Sequence, residues 1–439
     1  MKISVIGTGY AGLVTGACFA ETGNDVICID SDKKKVESLQ RAEIPFFEPG
    51  LEGLVSRNMR EERLQFTSDS EVGLKDAVIS FICVGTPSNE DGSANLDAVF
   101  EVVDLVSDIG SVGSILAMKS TVPIGTCDQV RECLDKKGRK DIHVASNPEF
   151  LREGSAVQDC LLPDRVVVGT ENVEVADTFR DLYASFVRTG YPILIMDLKS
   201  AEMAKYASNS FLAARISFMN EMAMICERVG ADVNRVREAI GADNRIGPRY
   251  LFPSVGFGGS CFPKDVRALI WTAQAKKMNP PMLQATLDVN DAQKDSFVRR
   301  VISHFGGANG AKDKKVAIWG LAFKAKTDDI RESPALHVVD GLLKAKTRLT
   351  VYDPEAMKNV RSKYGEKLSY ARTPFDALKD ADALCVLTEW NQFRHPDFGR
   401  IKKAMKSPVV FDGRNLYDPG GLAKMGFQYF SIGRPTFEA

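Results

Sequence analysis

Apolar and polar positions alternate along this chain in a rhythm that shifts from strand length to helix length and back. Ile3, Val5 and Ile6 make an apolar run that predicts a strand. Gly7, Gly9 and Gly12 follow at once, and Val14, Cys18 and Phe19 then recur at helical spacing until Gly23 stops the helix. A second run, "DVICID", closes on Asp30. The rhythm continues through "AVISFICVGTP", "SILAMKSTVPIGT", "DIHVASNPEF" and "DRVVVGT". These runs end in small or polar residues, as buried parallel strands do. Thr86, Thr121 and the segment 147–153 are therefore expected where strands finish, the edge along which open α/β sheets bind ligands.

The period changes at Leu198. From there to Val229 the chain has no proline or glycine and carries apolar residues on much of a helical circumference. At about 1.5 Å per residue this predicts one helix of roughly 45 Å. A helix that apolar needs cover nearly all round, so the expectation is a buried spine and a dimer surface. Lys205 and Asn209 are spaced i, i+4 and share one of its faces. After Gly306-Gly307 a second α/β unit begins: "KVAIWGLAFKAKTDDIRESPA" reads as strand, glycine-containing loop and a helix opened by Ser333-Pro334. "RLTVYDP" mirrors "DVICID" with Asp353 in the place of Asp30, and Lys324 and Lys326 fall where phosphates are expected. The predicted fold is α/β, two Rossmann-like doubly wound domains joined by a long central helix. The boundaries expected are 1–196 for an NAD-binding domain, 197–305 for a helical, dimerising region with a reactive cysteine, and 306–439 for a second nucleotide-type domain.

Composition narrows the class of protein. A chain of 439 residues is too long for one ordinary core. Its 58 acidic and 57 basic residues nearly cancel, which points away from nucleic-acid and membrane-surface partners. The first residues enter a strand at once, leaving no room for a signal peptide, and no apolar run reaches spanning length. Nine cysteines without a C-x-x-C pair, and four histidines without a zinc pattern, indicate reduced cytoplasmic thiols and no metal.

Two stretches carry chemistry. Gly7, Gly9 and Gly12 form G-x-G-x-x-G between a strand and a helix, with Asp30 about twenty residues on, the arrangement that cradles a dinucleotide pyrophosphate. Asp30 would accept hydrogen bonds from the adenosine ribose and repel a 2′-phosphate, favouring NAD over NADP, with Lys33, Lys34 and Lys35 working slightly against that preference. The second stretch is "SVGFGGSCFPKDVRAL". Cys261 follows two glycines and a serine and precedes a helix predicted from about Pro263, so it sits by free N–H groups that favour a thiolate.

Across its whole length the sequence resembles the UDP-glucose/GDP-mannose dehydrogenase family of nucleotide-sugar 6-dehydrogenases. The marks are "GTGYAGL", "VGTPSNEDG", "KSTVPIGT", "NPEFLREG", "KYASNSFLA", "DNRIGPRYL", "GFGGSCFPKD", "GLAFKAKTDDIRESPA" and "FDGRNLYDP". Ala11 departs from the valine usual in relatives, a change confined to packing at the cofactor loop. The resemblance implies oxidation of a sugar's primary alcohol to a carboxylate in two hydride transfers, using two NAD. By resemblance Cys261 is the nucleophile of a thiohemiacetal and thioester, Lys205 and Asn209 stabilise negative oxygen, Asp265 and Thr121 handle protons with a water, and Glu149 serves thioester hydrolysis. Implied cofactor contacts are Gly7, Gly9, Tyr10, Ala11, Gly12, Leu13, Asp30, Lys35, Thr86, Thr121, Glu153, Lys264 and Arg331. Implied substrate contacts are Glu149, Phe150, Leu151, Arg152, Lys205, Asn209, Arg245, Tyr250, Leu251, Phe252, Pro253, Ser254, Gly258 and Lys324, with Arg414 reaching the sugar nucleotide of a neighbouring subunit. "GGSC" and "RIGPRYL" are nearer the members acting on UDP-glucose than those acting on UDP-N-acetylhexosamines or GDP-mannose. Besides those substrates, two readings stay open: a two-electron hydroxy-acid dehydrogenase, which needs no thiol, and a catalytically silent sugar-nucleotide sensor. A homodimer or higher homo-oligomer is expected.

Overall fold

The computed structural model describes residues 1–187 and 190–435. The chain groups into two compact units, 1–208 with 267–278, and 209–266 with the chain from 279 onward.

The first unit is built on eight strands: β1 (Lys2–Ile6), β2 (Asp25–Ile29), β3 (Leu64–Thr67), β4 (Ile79–Ile82), β5 (Ile115–Met118), β6 (His143–Ser146), β7 (Val166–Gly169) and β8 (Ile193–Met196). They lie in the order β3-β2-β1-β4-β5-β6-β7-β8. The first six form the doubly wound pattern that reverses direction at β1 and β4 and opens a crevice there. Apolar layers bury both faces: Ile3, Val5, Phe19 and Phe81 on one, Ile6, Ile82, Val103 and Leu116 on the other. One strand departs from expectation. "DRVVVGT" was expected to join a parallel sheet, but β7 runs antiparallel to β6, pairing Gly169 with Ser146. The connection from 147 to 165 contains only the short helix Ala156–Leu161, and no helix long enough to carry the chain back across a sheet face. The segment 147–165 consequently stays at the carboxyl edge.

The second unit repeats the doubly wound order with six strands: β9 (Lys315–Trp319), β10 (Arg348–Tyr352), β11 (Ser369–Tyr370), β12 (Ala383–Val386), β13 (Val409–Asp412) and β14 (Gln428–Phe430), arranged β11-β10-β9-β12-β13-β14. All of its pairings are parallel. Gly320 after β9 and Gly7 after β1 take φ values of +93° and +97°, a left-handed turn that suits glycine. The acids that answer them differ. Asp353 is 1% exposed, and its carboxylate accepts the N–H groups of Leu321, Ala322, Glu355 and Ala356 and the indole N–H of Trp390. It staples the turn after β9 to the end of β10, with its lone pairs spent on the protein.

The long helix is one element, Leu198–Val229, and its residues divide between the units at Ser208 and Asn209. Ala201, Tyr206, Ala213, Met219 and Ala223 are buried, but its own chain does not cover it all round: Phe211, Phe218 and Ile225, seven residues apart, are 64%, 50% and 46% exposed. A second long helix, Pro281–His304, belongs to the second unit and was unnamed by the apolar pattern.

Candidate active site

The turn after β1 closes only with glycine. A Cβ on Gly12 would lie 1.9 Å from the Gly7 carbonyl oxygen, whereas one on Gly9 would meet nothing within 4 Å. Open space therefore fronts the helix Tyr10–Glu21, where the N–H groups of Tyr10, Ala11 and Gly12 begin the first turn and Leu13 is fully buried beneath. Asp30 accepts both the N–H and the hydroxyl of Thr8 on Oδ2, at 2.8 and 2.6 Å. Lys35 pairs with the same oxygen at 2.7 Å, and Oδ1 receives the Asp32 N–H. Burial pushes the Asp30 pKa up, but Lys35 and Thr8 outweigh it and hold the carboxyl below its usual range. An unobstructed helix N-terminus beside an ionised acid fits a dinucleotide. Beyond β4 and β5, the Thr86 hydroxyl donates to the Thr121 carbonyl at 2.8 Å.

Glu48, which no sequence motif singled out, joins this turn to the segment after β6. The Tyr10 hydroxyl donates to Glu48 Oε2, which also accepts the Gly154 N–H at 2.6 Å, while Oε1 accepts the Ala156 N–H at 2.8 Å. Glu153, half-buried, stands next to that junction. The only sequence signal of Glu48 is a carboxylate directly after the apolar run "IPFF".

A second cluster forms where 147–152 meets the long helix. Lys205 donates to the Glu149 carbonyl at 2.7 Å and to its Oε1 at 2.8 Å, with side chains only 4% and 11% exposed. Burial raises the Glu149 pKa, but Lys205, the Leu151 N–H and Lys119 together hold it below the usual carboxylate range. Phe150 carries the Arg165 guanidinium 3.5 Å over its ring and the Lys205 ammonium at 5.5 Å. Leu151 donates its N–H to Glu149, and Arg152 is turned to Asp159 through its N–H and guanidinium, both at 2.9 Å.

The thiol loop lies in the second unit. The helix Phe262–Ala275 begins one residue after Cys261, whose carbonyl accepts the Asp265 N–H at 2.8 Å. The thiol is partly exposed and 3.5 Å from the Ser260 hydroxyl. Asp265 is 1% exposed; its Oδ2 accepts the Asn209 amide at 2.6 Å and its Oδ1 pairs with Lys264 at 2.6 Å. The segment leading to the thiol has no regular structure of its own, so buried amides hold it. Ser254 donates its N–H to Asn220 at 2.8 Å, and its carbonyl accepts the Gln293 amide N–H at 2.9 Å. Asn290 takes the Phe257 N–H at 2.8 Å and donates to its carbonyl at 3.1 Å. Gly258 is pressed against the segment 332–334, where a Cβ would come within 2.2 Å of the Glu332 carbonyl oxygen. Asn220, Asn290 and Gln293 carried no signal in the sequence beyond polar residues on apolar helices.

The remaining candidates divide by exposure. Tyr250 adopts a left-handed φ of 61° and packs against Phe262, Leu251 and Pro253 are buried, and Phe252 is 59% exposed beneath the Arg237 guanidinium. Arg245 is 89% exposed and paired with Asp243, and Arg331 is paired with Asp329. Lys324 is half-buried near the Phe323 ring. Arg414 points inward, donating to the carbonyls of Leu387 and Phe323 at 2.8 Å each and lying 3.3 Å from Glu389.

A dinucleotide cradle at the reversal point of a doubly wound sheet defines an NAD-dependent dehydrogenase of the Rossmann class. Family comparison refines this. Residues 1–187 match the NAD binding domain of the UDP-glucose/GDP-mannose dehydrogenase family, 199–292 its central domain and 317–419 its UDP binding domain. The chain is 45% identical to a UDP-glucose 6-dehydrogenase of Pseudomonas aeruginosa, covering 99% of this chain and 98% of that one. It is 44% identical to a UDP-glucose 6-dehydrogenase of Rhizobium meliloti over 99% and 100% of the two. Among solved structures, a UDP-glucose dehydrogenase from the hyperthermophilic archaeon Pyrobaculum islandicum superposes with a TM-score of 0.90 at 35% identity, over 99% of this chain and 98% of that one. The chain belongs to the UDP-glucose/GDP-mannose dehydrogenase family.

Proposed function

We propose that the protein oxidises UDP-glucose to UDP-glucuronate by four electrons, releasing two NADH, with Cys261 as covalent nucleophile. The observation that carries this reading is a partly exposed thiol at the head of a helix, on the same chain as a dinucleotide cradle. Full-length relatives named UDP-glucose 6-dehydrogenase support the choice of sugar nucleotide. When bound, NAD supplies the hydride acceptor for each two-electron oxidation. Gly7, Gly9 and the helix start would hold its pyrophosphate and Asp30 its ribose.

The residues divide the chemistry as follows. The first oxidation turns the alcohol into an aldehyde, whose carbonyl carbon is a poor hydride donor. Cys261 sulfur adds to that carbon, giving a thiohemiacetal that can lose a second hydride and become a thioester. Water then cleaves the C–S bond, freeing the acid and the thiol. Lys205 and Asn209 stabilise the oxygen that turns negative, Asp265 and Thr121 pass protons through a water, and Glu149 accepts the hydrolytic water's proton. The exposed row Phe211, Phe218 and Ile225 supports a homodimer packed along the long helix. Incubation with UDP-glucose should yield two NADH per sugar consumed. A ratio of one, with free aldehyde, overturns the four-electron reading.

A further inference from the structure

Lys119, at the end of β5, is 6% exposed, and no carboxylate lies within ion-pair distance of it among the described residues. A buried ammonium without a partner is costly, and in proteins such a group either neutralises or answers a charge farther off. Its seat is dipolar. Nζ donates to Asn147 Oδ1 at 3.1 Å and to the Tyr183 hydroxyl at 3.3 Å, and stands 5.7 Å over the Phe81 ring. Tyr183 in turn donates to Asn147 Oδ1 at 2.6 Å, and Asn147 Nδ2 donates to the Val167 carbonyl of β7 at 2.8 Å. Asn147 is two residues before Glu149, so the cation, the amide and the phenol pin the root of the segment that carries the carboxylate.

We propose that Lys119 is a positioning residue of this reaction: from beneath the 147–149 segment it fixes Asn147 and supplies Glu149 with a second positive charge behind Lys205. The proposal rests on the reading of Glu149 as the base of thioester hydrolysis. In that step the water oxygen bonds to the acyl carbon, the C–S bond breaks with its electron pair leaving on sulfur, and Glu149 takes the water's proton. Only ionised Glu149 can do so. The groups facing it are Lys205 from the long helix, Lys119 from β5, Arg165 before β7, and the Cys83 and Cys160 thiols. Burial pushes the Cys83 thiol up to about 12, so it is neutral at working pH. The partly exposed Cys160 thiol is drawn below its usual range by its hydrogen bond to Cys18 and by Lys119. Lys119 is therefore one of three cations that favour the Glu149 carboxylate, and it has no carboxylate of its own within ion-pair distance among the described residues.

The test compares full-length Lys119→Met, Lys119→Arg and Glu149→Gln by the pH dependence of kcat for NADH formation from UDP-glucose, with NAD affinity as a check on folding. Losing a nearby cation raises a carboxyl pKa by about one unit or more. Lys119→Met should therefore bind NAD normally while its acid limb moves up by about that much, with the rate deficit shrinking toward alkaline pH. Lys119→Arg should leave the limb in place. A folded Lys119→Met with an unmoved limb overturns the proposal. Should Lys119→Met not fold, Asn147→Asp asks the same question isosterically, because a carboxylate beside Lys119 takes up its charge. The limb should again rise, and an unmoved one overturns the proposal. Glu149→Gln separates the two readings: if it keeps wild-type activity and the wild-type limb, the assignment of Glu149 fails and this proposal with it.

Discussion

Cys261 has a setting unlike that of the buried cysteines. Cys28, Cys83 and Cys385 are fully buried, and burial pushes their thiols up, Cys83 to about 12, which makes them inert. Cys261 is partly exposed, with a hydroxyl at 3.5 Å and a helix beginning at the next residue. If it is the nucleophile, Cys261→Ala should bind NAD and UDP-glucose within about threefold of wild type, because the thiol holds neither. Acid production should fall by several orders of magnitude. Cys261→Ser should fare little better, since an unactivated hydroxyl is a poorer nucleophile near neutral pH. Substrate quantitation by mass spectrometry checks both, and near-normal turnover by the alanine variant would return Cys261 to the role of a loop residue.

At the scale of elements, the segment before the thiol depends on helices remote from it in sequence. Asn290 satisfies both backbone groups of Phe257, and both would be buried and unpaired in Asn290→Ala. That loss should cost about 1–3 kcal/mol of stability in urea unfolding. Turnover should fall further than NAD affinity, because the clasped loop carries the thiol and the cradle belongs to other residues. Equal losses in both would count against the clasp as a positioning device. This dependence also marks where the sequence stops being readable. The strand after Lys2, the long helix and the helix after Ser333-Pro334 came from apolar period and caps, both local signals. The antiparallel β7 did not, since an apolar run of four residues looks alike in either direction. Nor did Glu48, Lys119 or Asn290. Their importance comes from burial and from partners up to 108 residues away, and no local pattern records which polar residue the fold will enclose.

For the whole molecule, the uncovered row on the long helix is the proposed seat of the subunit contact. Phe211, Phe218 and Ile225 recur every seven residues, the spacing that keeps one seam facing a partner helix. A charge in the middle of that seam, as in Phe218→Glu, should halve the mass seen by light scattering while leaving the circular dichroism of each chain unchanged. A mass equal to wild type would place the subunit contact elsewhere.

The two sheets follow one plan, down to an acid at the end of the second strand, yet the acids differ in what change they can survive. Asp30 is held by one lysine and by donors from Thr8 and Asp32, and one of its oxygens receives a single N–H. If Asp30 holds the cofactor's ribose, its replacement would alter which dinucleotide the first sheet accepts before it endangered the fold. Asp353 answers four backbone N–H groups and an indole, so its replacement would strand them together. Selection can therefore retune cofactor choice in the first copy by single substitutions. In the second copy the equivalent position is closed to experiment, and new ligand preferences there have to arise from the loops around it.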